Sequence, residues 1–306
     1  MGVARNAALW AADNRWLRER LPRYRFVRAS VRRFMPGETT DEAIAAAKRL
    51  GEQGLPTMFT VLGENVTNLD ATRLVVEDYR AVYDRISTEG LDTEISVKPS
   101  HLGVDLDPDA TMANLEELAA AAAEHDNWLW LDMESAPYVD PTLELYRKLR
   151  AGHPNVGIAL QAYLKRTADD LDSLMPLDPT IRLVKGAYLE PREIVFGSRE
   201  VIDEAYRRLA LLILARKGPV GRLALGTHDV DLVRQIRSDA HGREGFEVHM
   251  LYGIRSADQV RMAADGYRVR TLISYGTHWY PWYMRRIAEK PIENSLLALR
   301  NLVSRN

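Results

Sequence analysis

The 306-residue chain contains no cysteine. That excludes a disulfide framework, a thiolate metal site, a cysteine nucleophile and a thiol-disulfide centre, and it suits an intracellular enzyme. An excess of one charge is also missing: 41 Lys and Arg stand against 43 Asp and Glu, a net of -2. No basic footprint therefore marks a dedicated nucleic-acid binder. No apolar run approaches the roughly 20 residues that span a bilayer, the longest block being Leu209 to Ala215. Met1 to Trp16 is Ala-rich with scattered Arg and Trp and lacks the order of a secretory signal, so export is not expected.

Several motifs are absent as well. There is no H-E-x-x-H and no paired histidine spacing, so no metal site is expected. Neither G-x-G-x-x-G nor G-x-x-x-x-G-K-S/T occurs, which removes the usual pyrophosphate loops, although a barrel can bind a phosphate or dinucleotide without them. Without G-x-S-x-G a hydrolase elbow is unsupported, and the carboxylate pair of a glycoside hydrolase is missing too.

What is present is a rhythm. From residue 57 onward, short apolar runs alternate with polar loops and helical segments, predicting strands at Thr57 to Leu62, Glu94 to Lys98, Trp128 to Asp132, Val156 to Gln161, Ile181 to Lys185, Arg222 to Gly226, Phe246 to Met250 and Val269 to Ser274. Between them, apolar residues recur at three and four positions in Leu69 to Ile86, Ala110 to Ala123, Pro141 to Arg150, Arg199 to Arg216 and Ala257 to Ala264, with Asp109 and Ser256 as expected N-caps. Eight βα units in series read as a single α/β domain, a parallel (β/α)8 TIM barrel over 57–306, with a doubly wound sheet as the weaker alternative. Residues 1–56 read as an N-terminal helical arm (Ala4 to Arg20, Ser30 to Arg33, Asp41 to Leu50 after a Thr39-Thr40 cap) that packs on or plugs one end of the barrel.

Polar residues gather where the strands end, which in a barrel is the face that carries active sites. Lys98, Asp132, Gln161 and Lys185 close the second to fifth strands, His228 and Asp229 follow the sixth, and His249 lies near the end of the seventh. Beyond the eighth comes Arg285-Arg286, with Glu289 four residues after the first arginine. Adjacent arginines on a helix diverge by about 100 degrees, so both reach one small anion only if it lies between them, as a carboxylate would. The plain alternative is a solvated basic face with an i,i+4 salt bridge. A rim of Lys, Arg, Gln and His with few bases suits an anionic cofactor that carries the chemistry itself.

Five strings go further: Ser96-Val97-Lys98-Pro99-Ser100, Gln161-Ala162-Tyr163-Leu164-Lys165-Arg166, Arg182-Leu183-Val184-Lys185-Gly186-Ala187-Tyr188, Gly226-Thr227-His228-Asp229 and Trp279 to Glu289. In these residues and their order the chain resembles the flavin-dependent proline dehydrogenases, in the monofunctional bacterial form, since no aldehyde dehydrogenase domain follows. The resemblance implies a distorted (β/α)8 barrel, noncovalent FAD, and oxidation of L-proline to pyrroline-5-carboxylate by hydride transfer to flavin N5. By motif, Arg285, Arg286 and Lys98 would hold the substrate carboxylate, with Glu289 beside them, and Asp132, Tyr188 and Leu183 would line the pocket. Gln161, Arg182, Val184, Lys185, Gly186 and Ala187 would contact the flavin and its diphosphate, with Thr227, His228 and His249 nearby. The resemblance also implies a quinone-type electron acceptor with peripheral contact at the inner face of the membrane, a cytoplasmic location, and a separate pyrroline-5-carboxylate dehydrogenase to take the product.

Two positions depart from the family pattern. Leu272 stands where members commonly carry the first Tyr of Tyr-Val-Pro-Tyr-Gly, and Trp282 where a Tyr usually precedes the arginine pair. Both belong to the expected substrate pocket. They leave open hydroxyproline or another cyclic or N-alkyl amino acid as substrate. From other classes, a binding barrel without turnover and a Schiff-base aldolase using Lys98 or Lys185 are the alternatives.

Overall fold

The computed structural model describes residues 31–63, 66–241, 245–280 and 282–284, with Asn14, Trp16, Arg20 and Tyr24. Eight parallel strands close into a barrel in sequence order: β1 Thr57–Val61, β2 Thr93–Val97, β3 Leu129–Leu131, β4 Val156–Gln161, β5 Thr180–Val184, β6 Leu223–Gly226, β7 Phe246–Leu251 and β8 Arg268–Tyr275. Each predicted strand is present, displaced by no more than two residues at either end.

The helices are α1 Thr40–Gly51, α2 Leu69–Thr88, α3 Pro108–Glu124, α4 Val139–Gly152, α5 Thr167–Leu174, α6 Arg199–Arg216, α7 Val230–Asp239 and α8 Ser256–Ala264. Thr39 caps α1 in a reciprocal capping box with Glu42. Two expected caps are corrected. The α3 cap is Asp107, whose side chain accepts from the Asp109 and Ala110 amides, because Pro108 with its fixed φ makes a ready first helical residue. Ser256 is already inside α8, which follows Arg255 in the left-handed conformation (φ 49) and has no side-chain cap bond.

Successive residues on a strand face opposite ways, and the barrel sorts its residues accordingly. Phe59, Ile95, Val97, Leu129, Leu131, Ile158, Leu160, Ile181, Leu183 and Leu225 are buried with the helix faces in one large apolar core. The other parity fills the lumen, where Met58, Trp130 and Ala224 form a small apolar cluster with Trp128 and Leu272 packed against it. Gly157 makes room for the largest of these: a Cβ there would stand 2.5 Å from the Trp130 ring.

The expected helix Ala4 to Arg20 lies largely outside the described residues. Further along the arm, helix α1 lies against β8 and β1 and sends Ala43, Ile44, Ala46 and Ala47 into the main core. That is the place in the outer ring which a helix following β8 would take in a regular barrel. The chain after β8 is thereby released onto the barrel mouth, where Trp279, Tyr280, Trp282 and Tyr283 pack with Val31, Phe34, Met35 and Leu62. Trp279 Nε1 donates to Glu38 Oε1 at 2.9 Å and ties this cap to the arm.

Candidate active site

At the C-terminal end of the lumen two cations and a hydroxyl share one carboxylate. Lys98 Nζ lies 2.9 Å from Asp132 Oδ2. Ser96 Oγ donates to Asp132 Oδ1 at 2.9 Å, and Arg182 also reaches Oδ1. The Arg182 guanidinium further bonds Ser96 Oγ and Met58 Sδ, each at 2.8 Å, and sits over the Trp130 ring with its carbon 5.4 Å from the centroid. Burial by itself would raise the Asp132 carboxyl, but the charges of Lys98 and Arg182, with hydrogen bonds from Lys98 and Ser96, outweigh it and hold the group at about 2.

Around this triad stand Gln161, whose amide nitrogen donates 2.8 Å to the Glu134 carbonyl, and His249, edge-on to Trp130 at 5.4 Å between ring centroids. His249 Nε2 lies 3.5 Å from Glu247 Oε2, and burial depresses the imidazole's proton affinity. His249 Nδ1 and the inward-facing Ser274 Oγ are buried with no hydrogen-bond partner among the described residues. Leu272 joins the lumen, while Val184 is half-buried at the end of β5 on the same parity as Arg182.

Other expected residues sit elsewhere. Leu183 does not line the pocket: it is fully buried in the outer core, because the parity that turns Arg182 inward turns its neighbour toward the helices. Lys185 stands apart on the rim, with Nζ 2.5 Å from Asp203 Oδ1 of α6 and 2.9 Å from Asp229 Oδ2. Asp229 caps α7 through the Leu232 amide, and Thr227 Oγ1 accepts from the Asp229 amide. His228 is half-buried, and its carbonyl accepts from Arg255. Gly186, Ala187 and Tyr188 form the half-buried loop after β5, and Trp282 lies in the cap. Arg285, Arg286 and Glu289 fall outside the described residues.

Ser96, Trp130 and Glu134 were missed. Ser96 and Trp130 each stand two residues before a recognised site residue, so strand alternation was the signal that could have found them.

At the N-terminal end the lumen is closed by a second charged group. Glu94 and Glu247 accept from Arg222 at 2.8 and 2.6 Å, and Arg270, 1% exposed, lies 3.2 Å from Glu94. Trp130 Nε1 donates 2.6 Å to Glu94 Oε2, so one indole spans floor and mouth.

Residues 43–296 match the sequence model of the family described as proline dehydrogenase. The chain belongs to that family. Proline dehydrogenase 1 of Bacillus subtilis strain 168 is 32% identical over 307 residues, covering 99% of this chain and 100% of that protein. The proline dehydrogenase of Deinococcus radiodurans is 37% identical over 268 residues, 85% of this chain and 86% of that one. Among solved structures, proline utilization A from Bdellovibrio bacteriovorus superposes on 93% of the chain with a TM-score of 0.79. At 20% identity it shows the barrel fold alone, and this chain spans 36% of it.

Proposed function

We propose that the chain oxidises L-proline to pyrroline-5-carboxylate with noncovalently bound FAD. The observation that carries this reading is the Lys98-Asp132-Arg182 group at the barrel mouth of a member of the proline dehydrogenase family. The residues present fit a flavin. His249 Nδ1 and Ser274 Oγ are lumen atoms left for a ligand to satisfy. Gly186, at φ +115, allows the loop after β5 to run against the Tyr163 ring, which a Cβ would strike at 2.2 Å. When bound, FAD supplies the two-electron acceptor that no side chain offers.

The chain's own residues bind, orient and seal. Lys98 attracts the substrate carboxylate, together with Arg285 and Arg286, and fixes the ring by the end that does not react. A carboxylate held at about 2 is too weak a base to take the proton of a secondary amine, so Asp132 places Lys98 and Arg182 and does not transfer a proton. The amine proton would be given up to solvent before the mouth closes, and the hydride of the ring carbon beside nitrogen would go to the bound flavin. Trp279, Tyr280 and Trp282 in the cap exclude water from the closed mouth.

A Schiff-base lysine needs its amine free to attack a carbonyl, whereas Lys98 Nζ is engaged by Asp132 and Lys185 Nζ by Asp203 and Asp229. No helix among the described residues is long and apolar enough to cross a membrane. A quinone-type acceptor, peripheral contact with the inner face of a membrane and a separate dehydrogenase for the product belong to the same proposal.

The test is the visible spectrum of the purified protein together with proline-dependent reduction of a dye acceptor. Flavin absorbance released by denaturation, and dye reduction with proline, are the expected results. Colourless protein that gains no absorbance from added FAD refutes the cofactor, and a flavin-bound protein inert toward proline refutes the substrate.

A further inference from the structure

Lys98 is the residue just before the short 3-10 turn Pro99–His101, and its carbonyl accepts from the His101 amide at 3.0 Å. The turn does not stand alone. The Glu134 carboxylate, in a residue 4% exposed, accepts the Ser100 amide at 3.0 Å through Oε1 and the Ser100 hydroxyl at 2.6 Å through Oε2. The Glu134 backbone is held in turn, its carbonyl accepting the Gln161 side-chain amide at 2.8 Å. The loops after β2 and β3 and the last residue of β4 are thus joined through one buried acid located two residues beyond Asp132.

We propose that Glu134 is a positioning residue that fixes Lys98 for the substrate carboxylate by gripping the turn that follows it. This rests on the reading of Lys98 as a carboxylate anchor. The chemistry explains why an acid stands there. Two donors of one serine, an N–H and an O–H, arrive side by side and need two acceptor oxygens, which a carboxylate presents in one plane. An amide keeps the N–H bond through its oxygen, and it keeps the second by donating to a hydroxyl whose proton has rotated away. Glutamine should therefore preserve the placement, and alanine should free the turn. The Lys98-Asp132 ion pair does not substitute for it, because that pair fixes the ammonium relative to β3, whereas the backbone bonds of the turn are internal (His101 to Lys98, Leu102 and Val104 to Pro99) or run to the loop after β1 (Val66 to Ser100) and do not tie the turn to β3.

The experiment is steady-state kinetics of the flavin-loaded enzyme for Glu134→Ala, Glu134→Gln, Ser100→Ala, Lys98→Met and the double variant Glu134→Ala with Lys98→Met, with thermal midpoints recorded alongside. Glu134→Ala is expected to raise the proline KM about 10-fold with a smaller change in kcat, and Glu134→Gln to stay within about 3-fold of the parent. In the Lys98→Met background, Glu134→Ala should add less than about 2-fold, since its effect runs through the lysine. A general structural role would lower kcat and KM performance alike in both backgrounds and would not be rescued by glutamine. An unchanged KM in Glu134→Ala, or an equal effect with and without Lys98, overturns the proposal. If Lys98→Met itself leaves KM unaltered, the anchor reading fails first. Should Glu134→Ala not fold, Ser100→Ala carries the test: it is expected to raise KM about 3-fold only while Lys98 is present, and an unchanged KM there is refuting.

Discussion

Removing the Asp132 carboxylate would set Lys98 and Arg182 against each other with their shared counter-charge gone. Both cations are poorly placed to recover water, since their side chains are 12% and 4% exposed. Taking one partner from a buried pair costs about 3 to 5 kcal/mol, chiefly through the charge left behind. Arg182 keeps Ser96 Oγ and Met58 Sδ, so Asp132→Ala belongs near the lower end, at about 3 kcal/mol. For a chain of this length each kcal/mol moves the thermal midpoint by roughly 2 °C, giving a fall of roughly 6 °C. Asp132→Asn keeps an acceptor and should fall by about half as much. Differential scanning calorimetry at matched flavin occupancy reads both variants. A midpoint for Asp132→Ala within about 1 °C of the parent would refute the claim that the triad is a buried, mutually dependent unit.

The same carboxylate gives a pH signature with a definite sign. Its folded value, about 2, lies below the ordinary 3.8, so between those values the unfolded chain binds the proton and the folded chain does not. Stability from this group is therefore fully present above about pH 4 and is lost as pH falls through 2, a contribution of about 2 kcal/mol. Urea titrations of parent and Asp132→Asn at pH 5 and pH 2.5 should converge by most of that amount. Because Asp132 stays ionised across any ordinary assay range, Asp132→Asn should leave the acid limb of a kcat/KM profile where it was.

Arg270→Met strips the floor of a guanidinium that holds Thr57 O at 2.8 Å and sits between Glu94 and Glu247; a loss of about 3 to 5 kcal/mol is expected with the proline KM unchanged, and a KM shift would mean that floor and mouth are coupled. Leu272→Tyr places a ring in the lumen beside Met58 and Trp130 at a half-buried position with an open side. Proline should remain the best substrate, while hydroxyproline and pipecolate lose about 10-fold in kcat/KM relative to it, and an unaltered ratio would remove Leu272 from the substrate wall.

The barrel was legible because each strand is a short apolar run and each run recurs on schedule. The helices α5 and α7 were not, α5 being only eight residues with two adjacent aspartates and α7 being capped by Asp229, which reads equally as a rim acid. At the site, strand-end position found Lys98 and Asp132, while the family motif placed Leu183 in the pocket although strand alternation sends it to the helices. The ion pairs of Lys185 were not legible either. Its partner Asp203 lies on the following helix, and nothing local to the Arg182 to Tyr188 string announces that contact. Glu134 was invisible because its value lies in joining the ends of three strands that are distant in sequence.

Barrels of this kind usually fill their lumen with layers of branched aliphatic side chains, which cost nothing to desolvate. This one fills it with charge, and the way the charge is divided is informative. At the floor, Arg222 and Arg270 face Glu94 and Glu247, with Asp92 on Arg270 and Arg268 on Glu247 at the exposed edge, three against three, so the lower layer is balanced. At the mouth, Lys98 and Arg182 converge on Asp132, while the second buried acid of that rim, Glu134, is committed to the Ser100 amide and hydroxyl. The two layers, joined by an indole that touches both, therefore differ in what they present. A carboxylate arriving at the mouth meets two cations gathered on one acid, whereas at the floor it would meet Glu94 and Glu247 between the guanidinia, and burying like charges together is costly. That is the asymmetry an enzyme needs to draw an amino acid to one end of a barrel that is polar at both.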